Sequence, residues 1–410
     1  MKVLIAMDSM KGCMSSIACG NAIAAGLKLA SPESSAIVRP IADGGEGTVE
    51  ALVTGFNGTF QEITVMGPNC TPVQARYGII QTEDPKLHTL LPTAVIEISA
   101  AAGIALLDEA ELDAMETTTY GVGEMIIDAI QEGCRNFIIG LGGSATNDGG
   151  IGMLQALGAS FYDKDGTSLS QVTEDDDEDQ SKDFILRGRD LELISSINID
   201  SMYPKLSECT FHVACDVNNP LYGPKGATLV FGPQKGAFDT DLDALEEGMK
   251  NYAEVASACL SSNVSVENLV DPDFPGCGAA GGLGFAFLYF LHGKLEHGID
   301  IIMRETKLED YIKHADLVIT GEGRLDTQTL MGKTPLGVAT LAKKYGIPVI
   351  AFAGSIDPNI EANDIPNIDA YFPILRKEIT LEEAMRPETT SINLTHTSYQ
   401  VFRLWLCKKK

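Results

Sequence analysis

The feature that most constrains the fold is an alternation of short apolar runs with helical segments at both ends of the chain. Residues 3–6 have the pattern of a buried strand, residues 15–30 that of a helix of small residues, and residues 36–40 that of a second strand. Near the other end, residues 317–320 and 348–353 are strand-like. They enclose a helical stretch, 335–345, that begins with proline. Such alternation is typical of a parallel sheet covered by helices on both faces.

The middle of the chain has a different pattern. Residues 59–65 and 73–80 are extended runs around a Gly-Pro-Asn turn, which predicts an antiparallel hairpin. Residues 136–140 and 211–215 are short buried strands that end in glycine- or asparagine-rich turns. We therefore predict a Rossmann- or flavodoxin-like three-layer α/β domain formed by both chain ends, with a second, mixed-sheet α/β domain inserted. The predicted boundaries are residues 1–60 and 281–380 for the first domain, 61–280 for the inserted domain, and 381–410 for a C-terminal tail or helix.

Charge and hydropathy exclude several classes of protein. The net charge is −27 and no basic stripe is present, so nucleic acid is not an expected partner. The acidic run at residues 174–179 is expected to be a solvated loop, and the three terminal lysines a frayed tail. No apolar run approaches the roughly 20 residues that span a bilayer. The apolar start is interrupted at Asp8, and the nine cysteines form no C-x-x-C pair. A cytoplasmic protein with reduced thiols, bound to no membrane, is predicted.

The densest polar motif is a glycine-rich loop at residues 140–150, between a predicted strand and a predicted helix. Glycine lets backbone N–H groups converge, and a helix N-terminus favours an anion. The candidate binding residues are Gly142, Gly143, Ser144, Thr146, Asn147 and Asp148. A tight structural turn is the alternative interpretation.

A second glycine-rich loop and the loop after the first strand carry acids and a base. In open α/β sheets, ligands bind at the carboxyl ends of strands, where such loops gather. The candidates are Asp43, Gly44, Gly45, Glu46 and Thr48 in the second loop, and Asp8, Ser9 and Lys11 in the first. Helix capping would explain the same residues without a ligand.

A third group of candidates lies in the second half of the chain. Glu322, Arg324 and Asp326 directly follow a predicted strand, where a local salt bridge is the simpler alternative. Asp216, Asn219 and Lys235 lie in and after another strand end, and Thr334 closes a Gly-Lys-Thr sequence. Residues 276–282 are nearly free of side chains, so their backbone must pass close to either a ligand or another helix.

The absence of several catalytic motifs reduces the number of reactions that the sequence could support. No G-x-S-x-G elbow, H-E-x-x-H or complete Walker motif occurs, and none of the six histidines lies in a glycine loop. What remains are acids, bases and hydroxyls among glycines, the groups that phosphoryl transfer uses. Lys11, Lys235 and Arg324 are expected to neutralise charge on phosphates or on a substrate carboxylate. Four acids are candidates for Mg²⁺ ligation and for the role of general base: Asp148, Asp216, Glu322 and Asp326. We assign the metal to Glu322 and Asp326.

These motifs, taken in order, resemble those of the glycerate kinase type-1 family. The matching segments are residues 8–11, 42–48, 117–121, 140–150, 214–221, 231–236, 275–282 and 319–326, with Gly332 and Lys333. The sequence departs from the family pattern at Met7, Met10 and Cys277. The resemblance implies transfer of the ATP γ-phosphate to D-glycerate, with 2-phosphoglycerate favoured over 3-phosphoglycerate as the product.

Two other classes fit parts of the pattern. A non-catalytic protein that binds a small anion or hydroxy-acid would use the same glycine loops without Mg²⁺. A nicotinamide-dependent oxidoreductase would need G-x-G-x-x-G after the first strand, where this chain has Asp8-Ser9-Met10-Lys11. The sequence is compatible with a homo-oligomer.

Overall fold

The apolar runs at the two chain ends meet in one parallel sheet, and the middle of the chain builds another sheet. The computed structural model describes residues 1–83, 89–170, 185–261, 271–327, 329, 334–360 and 365–407. The chain divides into two units, which we call unit 1 (Met1–Gly58 and His297–Lys410) and unit 2 (Thr59–Glu296). The predicted acidic loop at 174–179, Gly332, Lys333 and the terminal lysines lie outside the described residues.

The strands and helices are numbered along the described part of the chain. The strands are β1 (Lys2–Met7), β2 (Ser35–Val38), β3 (Thr59–Met66), β4 (Pro72–Glu83), β5 (Leu90–Glu97), β6 (Asn136–Gly140), β7 (Ser160–Tyr162), β8 (Ser196–Asn198), β9 (Thr210–Ala214), β10 (Lys294–Glu296), β11 (Leu317–Leu325), β12 (Val349–Ile356) and β13 (Ala370–Pro373). The helices are α1 (Ser16–Ala30), α2 (Thr48–Gly55), α3 (Ser99–Ala102), α4 (Tyr120–Gln131), α5 (Ile151–Ala156), α6 (Ala227–Phe231), α7 (Asp239–Ser261), α8 (Leu283–Phe290), α9 (Gly298–Glu305), α10 (Leu308–Ile312), α11 (Thr334–Lys344), α12 (Leu381–Ala384) and α13 (Pro387–Cys407).

Unit 1 is built on a five-stranded sheet with the order β13-β12-β11-β1-β2, and all of its strand pairs are parallel. Residues 3–7 of β1 are all buried, as expected for a central strand with both faces covered. The chain runs from β1 to β2 on one side and later returns to β11 on the other. The carboxyl ends of β1 and β11 therefore form the topological switch point, where open α/β sheets bind ligands. The predicted fold class of this unit is confirmed.

Unit 2 has a six-stranded mixed sheet with the order β10-β9-β6-β5-β4-β3. The pairs β3–β4 and β4–β5 are antiparallel, which confirms the predicted hairpin, and the other three pairs are parallel. Its core includes Phe137 and Phe211, whose ring centroids lie 4.8 Å apart, and Phe287, which tilts against Phe211. This packing holds β6 and β9 together, and two of the candidate loops begin at the carboxyl ends of these strands.

The change from unit 2 back to unit 1 comes later in the chain than the sequence indicates. The predicted return is at residue 281, whereas unit 1 resumes at His297. The apolar helix α8 joins the core of unit 2, and β10 pairs with β9, so residues 281–296 belong to unit 2. At the other end, α13 lies along α1 with little space between them. A Cβ at Gly26 would overlap the hydroxyl of Ser398.

Helices long and apolar enough to cross a membrane are absent from the described part of the chain.

Candidate functional site

The carboxyl edge of the unit 1 sheet carries a compact group of charged side chains. Asp8 directly follows β1, its backbone N–H donates to the Gly321 carbonyl at the end of β11, and its side chain is only 4% exposed. Lys11 donates to Asp43 over 2.9 Å, and the other oxygen of Asp43 accepts the Gly45 N–H at 3.0 Å. Lys11 and Asp43, which are 32 positions apart in the sequence, therefore meet at the carboxyl ends of β1 and β2, next to the switch point.

Burial and neighbouring charge shift the titration of this group. The pKa of Asp8 is raised to about 7, first because the carboxyl group is buried and then because Asp43 is negatively charged nearby. The Ser9 N–H, at 2.6 Å from Asp8 Oδ1, acts in the opposite direction, as do Lys11 and the Thr334 hydroxyl. Burial acts to lower the pKa of Lys11, but its acidic neighbours outweigh this effect and raise it. Asp8 can therefore exchange a proton near neutral pH.

The starts of two helices lie beside this group. Ser15 caps α1 by accepting the Ala18 N–H, and Gly47 begins α2 in the left-handed conformation with φ 90°. A small cavity is lined by Ser9, Ser15, Ser16, Ile17, Gly47, Glu50 and Ala51. Thr48 is buried, and its hydroxyl has no hydrogen-bond partner among the described residues. Glu46 in the same loop is exposed.

The predicted metal ligands are joined by a threonine that the sequence analysis did not single out. The buried Thr329 donates its hydroxyl proton to Glu322 at 2.5 Å, and its backbone N–H lies 3.4 Å from Asp326 Oδ1. In the part of the chain that the structure describes, no three His, Cys, Asp or Glu side chains lie close enough to form a metal cage. Two carboxylates are enough for a Mg²⁺ ion that also binds substrate phosphates and water.

The described ion pair of Arg324 is with neither Glu322 nor Asp326. Arg324 forms an ion pair with Asp357 over 2.8 Å, and its side chain is 59% exposed. Asp357 is not identified as a candidate from the sequence, because it lies in a turn after β12 whose sequence resembles that of any polar loop.

In unit 2, buried side chains form hydrogen bonds with the glycine-rich loop after β6. Gly142 and Gly143 are exposed, whereas the residues from Ser144 to Gly150 are all buried. The ammonium group of Lys235 donates to Ser144 Oγ at 2.8 Å and to the Thr146 carbonyl at 2.6 Å. The structure therefore brings together Ser144, Thr146 and Lys235, which lie on two separate predicted motifs.

Asp148 lies inside the loop, where it organises the backbone. Its carboxylate accepts hydrogen bonds from the N–H and hydroxyl of Thr119 and from the N–H groups of Gly150 and Gly152. Burial raises the pKa of Asp148, whereas these hydrogen bonds act to lower it. The side chain is completely buried, so this geometry favours a structural role over that of a general base.

The remaining unit 2 candidates occupy different environments. Asn147 is buried and donates to Thr228, but its side-chain oxygen and the Thr146 hydroxyl have no partner among the described residues. Asp216 is exposed, and Asn219 donates to the Lys225 carbonyl at 2.7 Å. These two residues lie on the loop after β9.

The side-chain-free segment at 276–282 packs against the glycine-rich loop. Gly281 has φ +68°, and a Cβ there would overlap the Thr146 carbonyl; a Cβ at Gly282 would lie 2.6 Å from Gly149 Cα. Close approach of two backbones, rather than of a helix or a ligand, thus accounts for these two glycines.

Comparisons with known proteins agree on one family. The sequence model of the glycerate kinase family matches residues 3–406. The glycerate 2-kinase of Escherichia coli strain K12 is 41% identical, over 94% of this chain and 93% of that protein. The glycerate kinase of Bacillus subtilis strain 168 is 42% identical over the same shares. A crystal structure of a putative glycerate kinase 2 from Salmonella typhimurium LT2 superimposes with a TM-score of 0.83 at 39% identity, covering 100% of this chain and 99% of that one.

Proposed function

Because the chain belongs to the glycerate kinase family, we propose that it transfers the γ-phosphate of ATP to the 2-hydroxyl of D-glycerate. The observation that carries this proposal is the similarity to named glycerate kinases over 94% of the chain or more. The choice of the 2-hydroxyl is supported by the name of the Escherichia coli relative, glycerate 2-kinase. Named kinases among the relatives favour an enzyme over the non-catalytic binding protein.

The charged group at the switch point supports the chemistry. The acceptor hydroxyl must lose its proton during transfer, and a base with a pKa near the working pH does this best. Asp8 meets that requirement, since burial and Asp43 raise its pKa to about 7. We therefore propose Asp8 as the general base, in preference to Asp148, whose oxygens accept four hydrogen bonds from the protein. Asp216 and Asn219 are proposed to contact substrate.

The cationic and acidic residues at the carboxyl ends of β1, β2 and β11 and in the loops that follow suit a nucleotide. Lys11 and Arg324 are proposed to neutralise phosphate or carboxylate charge, and Thr48, Glu46 and Thr334 to line the site. Glu322 and Asp326 fit a Mg²⁺ ion bound through one or two carboxylates, the usual arrangement in kinases. When bound, Mg²⁺ supplies positive charge that offsets the charge developing on the phosphate oxygens. We propose a cytoplasmic location, because ATP is available there.

A coupled assay of ADP release tests the proposal. Purified protein with ATP and Mg²⁺ is expected to release ADP when D-glycerate is added, and to release little with lactate, which lacks the 3-hydroxyl group of glycerate. ADP release that is independent of glycerate, or no ADP release when glycerate is added, would contradict the proposal.

A further inference from the structure

The backbone after β6 presents unused hydrogen-bond donors. The N–H groups of Gly142, Gly143 and Ser144 have no acceptor among the residues that the structure describes. The loop is nevertheless fixed, because the Gly143 carbonyl accepts the Ile104 N–H at 2.8 Å and the Ala145 N–H donates to Ala102 at 2.8 Å. Consecutive N–H groups on a fixed glycine turn form a concavity that suits an anion.

A buried lysine contacts this turn through Ser144. Lys235 is 2% exposed, and both of its hydrogen bonds go to uncharged oxygens, those of Ser144 and Thr146. It forms no ion pair with any described residue. The charged group that acts on it is Asp148, whose carboxylate is already occupied by Thr119 and two glycine N–H groups. Burying a cation with so little compensation is costly unless an anion binds nearby.

The hydroxyl of Ser144 connects the lysine to the turn. A serine hydroxyl has one proton to donate and two lone pairs to accept with. Because Lys235 donates to Ser144 Oγ, the Ser144 proton must point away from the lysine. No described residue accepts that proton, so it is available to a ligand oxygen, as are the three N–H groups.

We propose that Gly142, Gly143 and Ser144 form an oxyanion subsite whose positive charge is supplied by Lys235 through the Ser144 hydroxyl. This inference rests on the proposed function, since the oxyanion is a phosphate group of the nucleotide or the carboxylate of the hydroxy-acid. Lys235 acts here as a positioning residue: it orients the Ser144 proton and adds charge without contacting the ligand itself.

The proposal predicts a proton linkage. Burial lowers the pKa of Lys235 to about 7, against the effect of Asp148, which raises it. In the free protein the lysine is therefore only partly charged at neutral pH. A bound anion favours the charged form and raises the pKa of Lys235, so binding takes up a proton above pH 7. Affinity for the anion accordingly falls as the pH rises above 7.

Isothermal titration calorimetry in two buffers with different ionisation enthalpies at pH 7.5 tests the subsite. Inorganic phosphate, ADP and D-glycerate are titrated separately into the wild type and into Lys235→Met, Ser144→Ala and the control Lys205→Met. Lys205 is an exposed lysine of unit 2. We expect Lys235→Met to weaken one class of anion at least tenfold and to abolish its proton uptake. Ser144→Ala should weaken the same anion less and keep part of the uptake, and the control should match the wild type.

The three titrants distinguish the sources of the oxyanion. A loss confined to phosphate and ADP assigns a phosphate subsite, and a loss confined to glycerate assigns a carboxylate subsite. If the wild type and both variants bind all three alike, or if the wild type binds none, the proposal is overturned. Circular dichroism checks the fold, and Ser144→Ala keeps the test valid should Lys235→Met not fold. Binding does not depend on turnover, so a wild type without kinase activity that still shows Lys235-dependent binding would refute the proposed function alone.

Discussion

The ammonium group of Lys11 lies 2.9 Å from a carboxylate oxygen of Asp43, and the carboxyl group of Asp8 lies within the electrostatic reach of both. Lys11 follows β1 and Asp43 follows β2, so the pair joins two neighbouring strand ends of the parallel sheet. The two charges have opposite effects on Asp8: Asp43 raises its pKa and Lys11 lowers it. This arrangement makes the protonation of Asp8 sensitive to changes in the pair.

Replacing Asp43 with asparagine should shift the acidic limb of the pH–rate profile to lower pH. The substitution removes a negative charge near Asp8 and frees Lys11, and both changes favour the ionised form of Asp8. The asparagine oxygen can still accept the Gly45 N–H, and the Lys11–Asp43 pair is partly exposed, so the free energy of unfolding should change by less than about 1 kcal/mol. Measurements of kcat/KM against pH would contradict this if the limb stayed in place or moved upward.

Replacing Asp8 with asparagine should lower kcat by roughly 10²- to 10⁴-fold, the usual contribution of a general base. The acidic limb of the profile should disappear, while ADP affinity measured by calorimetry stays close to that of the wild type. Asp310→Asn is the matched control, because Asp310 lies on α10, where its described side-chain contact is an exposed pair with Lys313. Retention of more than a tenth of wild-type kcat by Asp8→Asn would rule out Asp8 as the base.

Asp8→Asn should also change the pH dependence of thermal stability. The pKa of Asp8 is raised from 3.8 to about 7, so the folded state holds a proton that the unfolded state releases. Between these pH values the contribution of Asp8 to the stability of the wild type should fall as the pH rises, because the carboxyl group holds its proton in the folded state and has lost it in the unfolded state. Asp8→Asn carries no charge and should gain Tm relative to the wild type as the pH rises through this window. Parallel Tm curves for the two proteins would contradict the expected burial of the charge.

Replacing Asp148 with alanine should destabilise unit 2. Removal of the carboxylate leaves four buried donors without their acceptor, at a cost of at least about 3 kcal/mol. Asp163→Ala provides the control, because Asp163 accepts two N–H groups in an exposed turn and should cost less than about 1 kcal/mol. Urea unfolding measures both variants. An Asp148→Ala protein as stable as the control but devoid of activity would point to a direct catalytic role.

Replacing Gly281 with alanine should disturb the glycine-rich loop by displacing the backbone at Thr146. A Cβ at Gly281 would overlap the Thr146 carbonyl, which also accepts a hydrogen bond from Lys235. Gly133→Ala is the control, since Gly133 also has positive φ but nothing within 4 Å of the added Cβ. The control should cost about 1–2 kcal/mol for the backbone conformation alone, and Gly281→Ala clearly more. Equal urea midpoints for the two variants would show that the loop can move aside.

The regular elements could be predicted from the sequence where hydrophobic periodicity was strong. The strands β1, β11 and β12 and the β3–β4 hairpin carry apolar or alternating patterns that tertiary packing does not override. The boundary at His297 could not be found in this way. Strand β10 has only three residues, Lys-Leu-Glu, and is defined by its pairing with β9 rather than by any pattern of its own.

The residues of the candidate sites could be predicted from the sequence, but the directions of their side chains could not. A carboxylate or a lysine among glycines looks the same in the sequence whether it points to solvent or into the protein. In the structure the side chains of Asp148 and Lys235 are buried, whereas that of Asp216 is exposed. The partners that decide this, Thr119 for Asp148 and Thr329 for Glu322, are common hydroxyl residues that the sequence does not distinguish.

The regiochemistry of the product tests the proposed reaction most directly. Wild-type protein is incubated with ATP, Mg²⁺ and D-glycerate, and the product is examined by proton-coupled ³¹P NMR. Phosphorus on the 2-oxygen couples to a single neighbouring proton, whereas phosphorus on the 3-oxygen couples to a methylene pair. We expect a doublet that grows as the γ-phosphate signal of ATP declines. A triplet would assign the 3-hydroxyl instead, and the absence of any new phosphate ester would contradict ATP-dependent phosphorylation of glycerate by this protein.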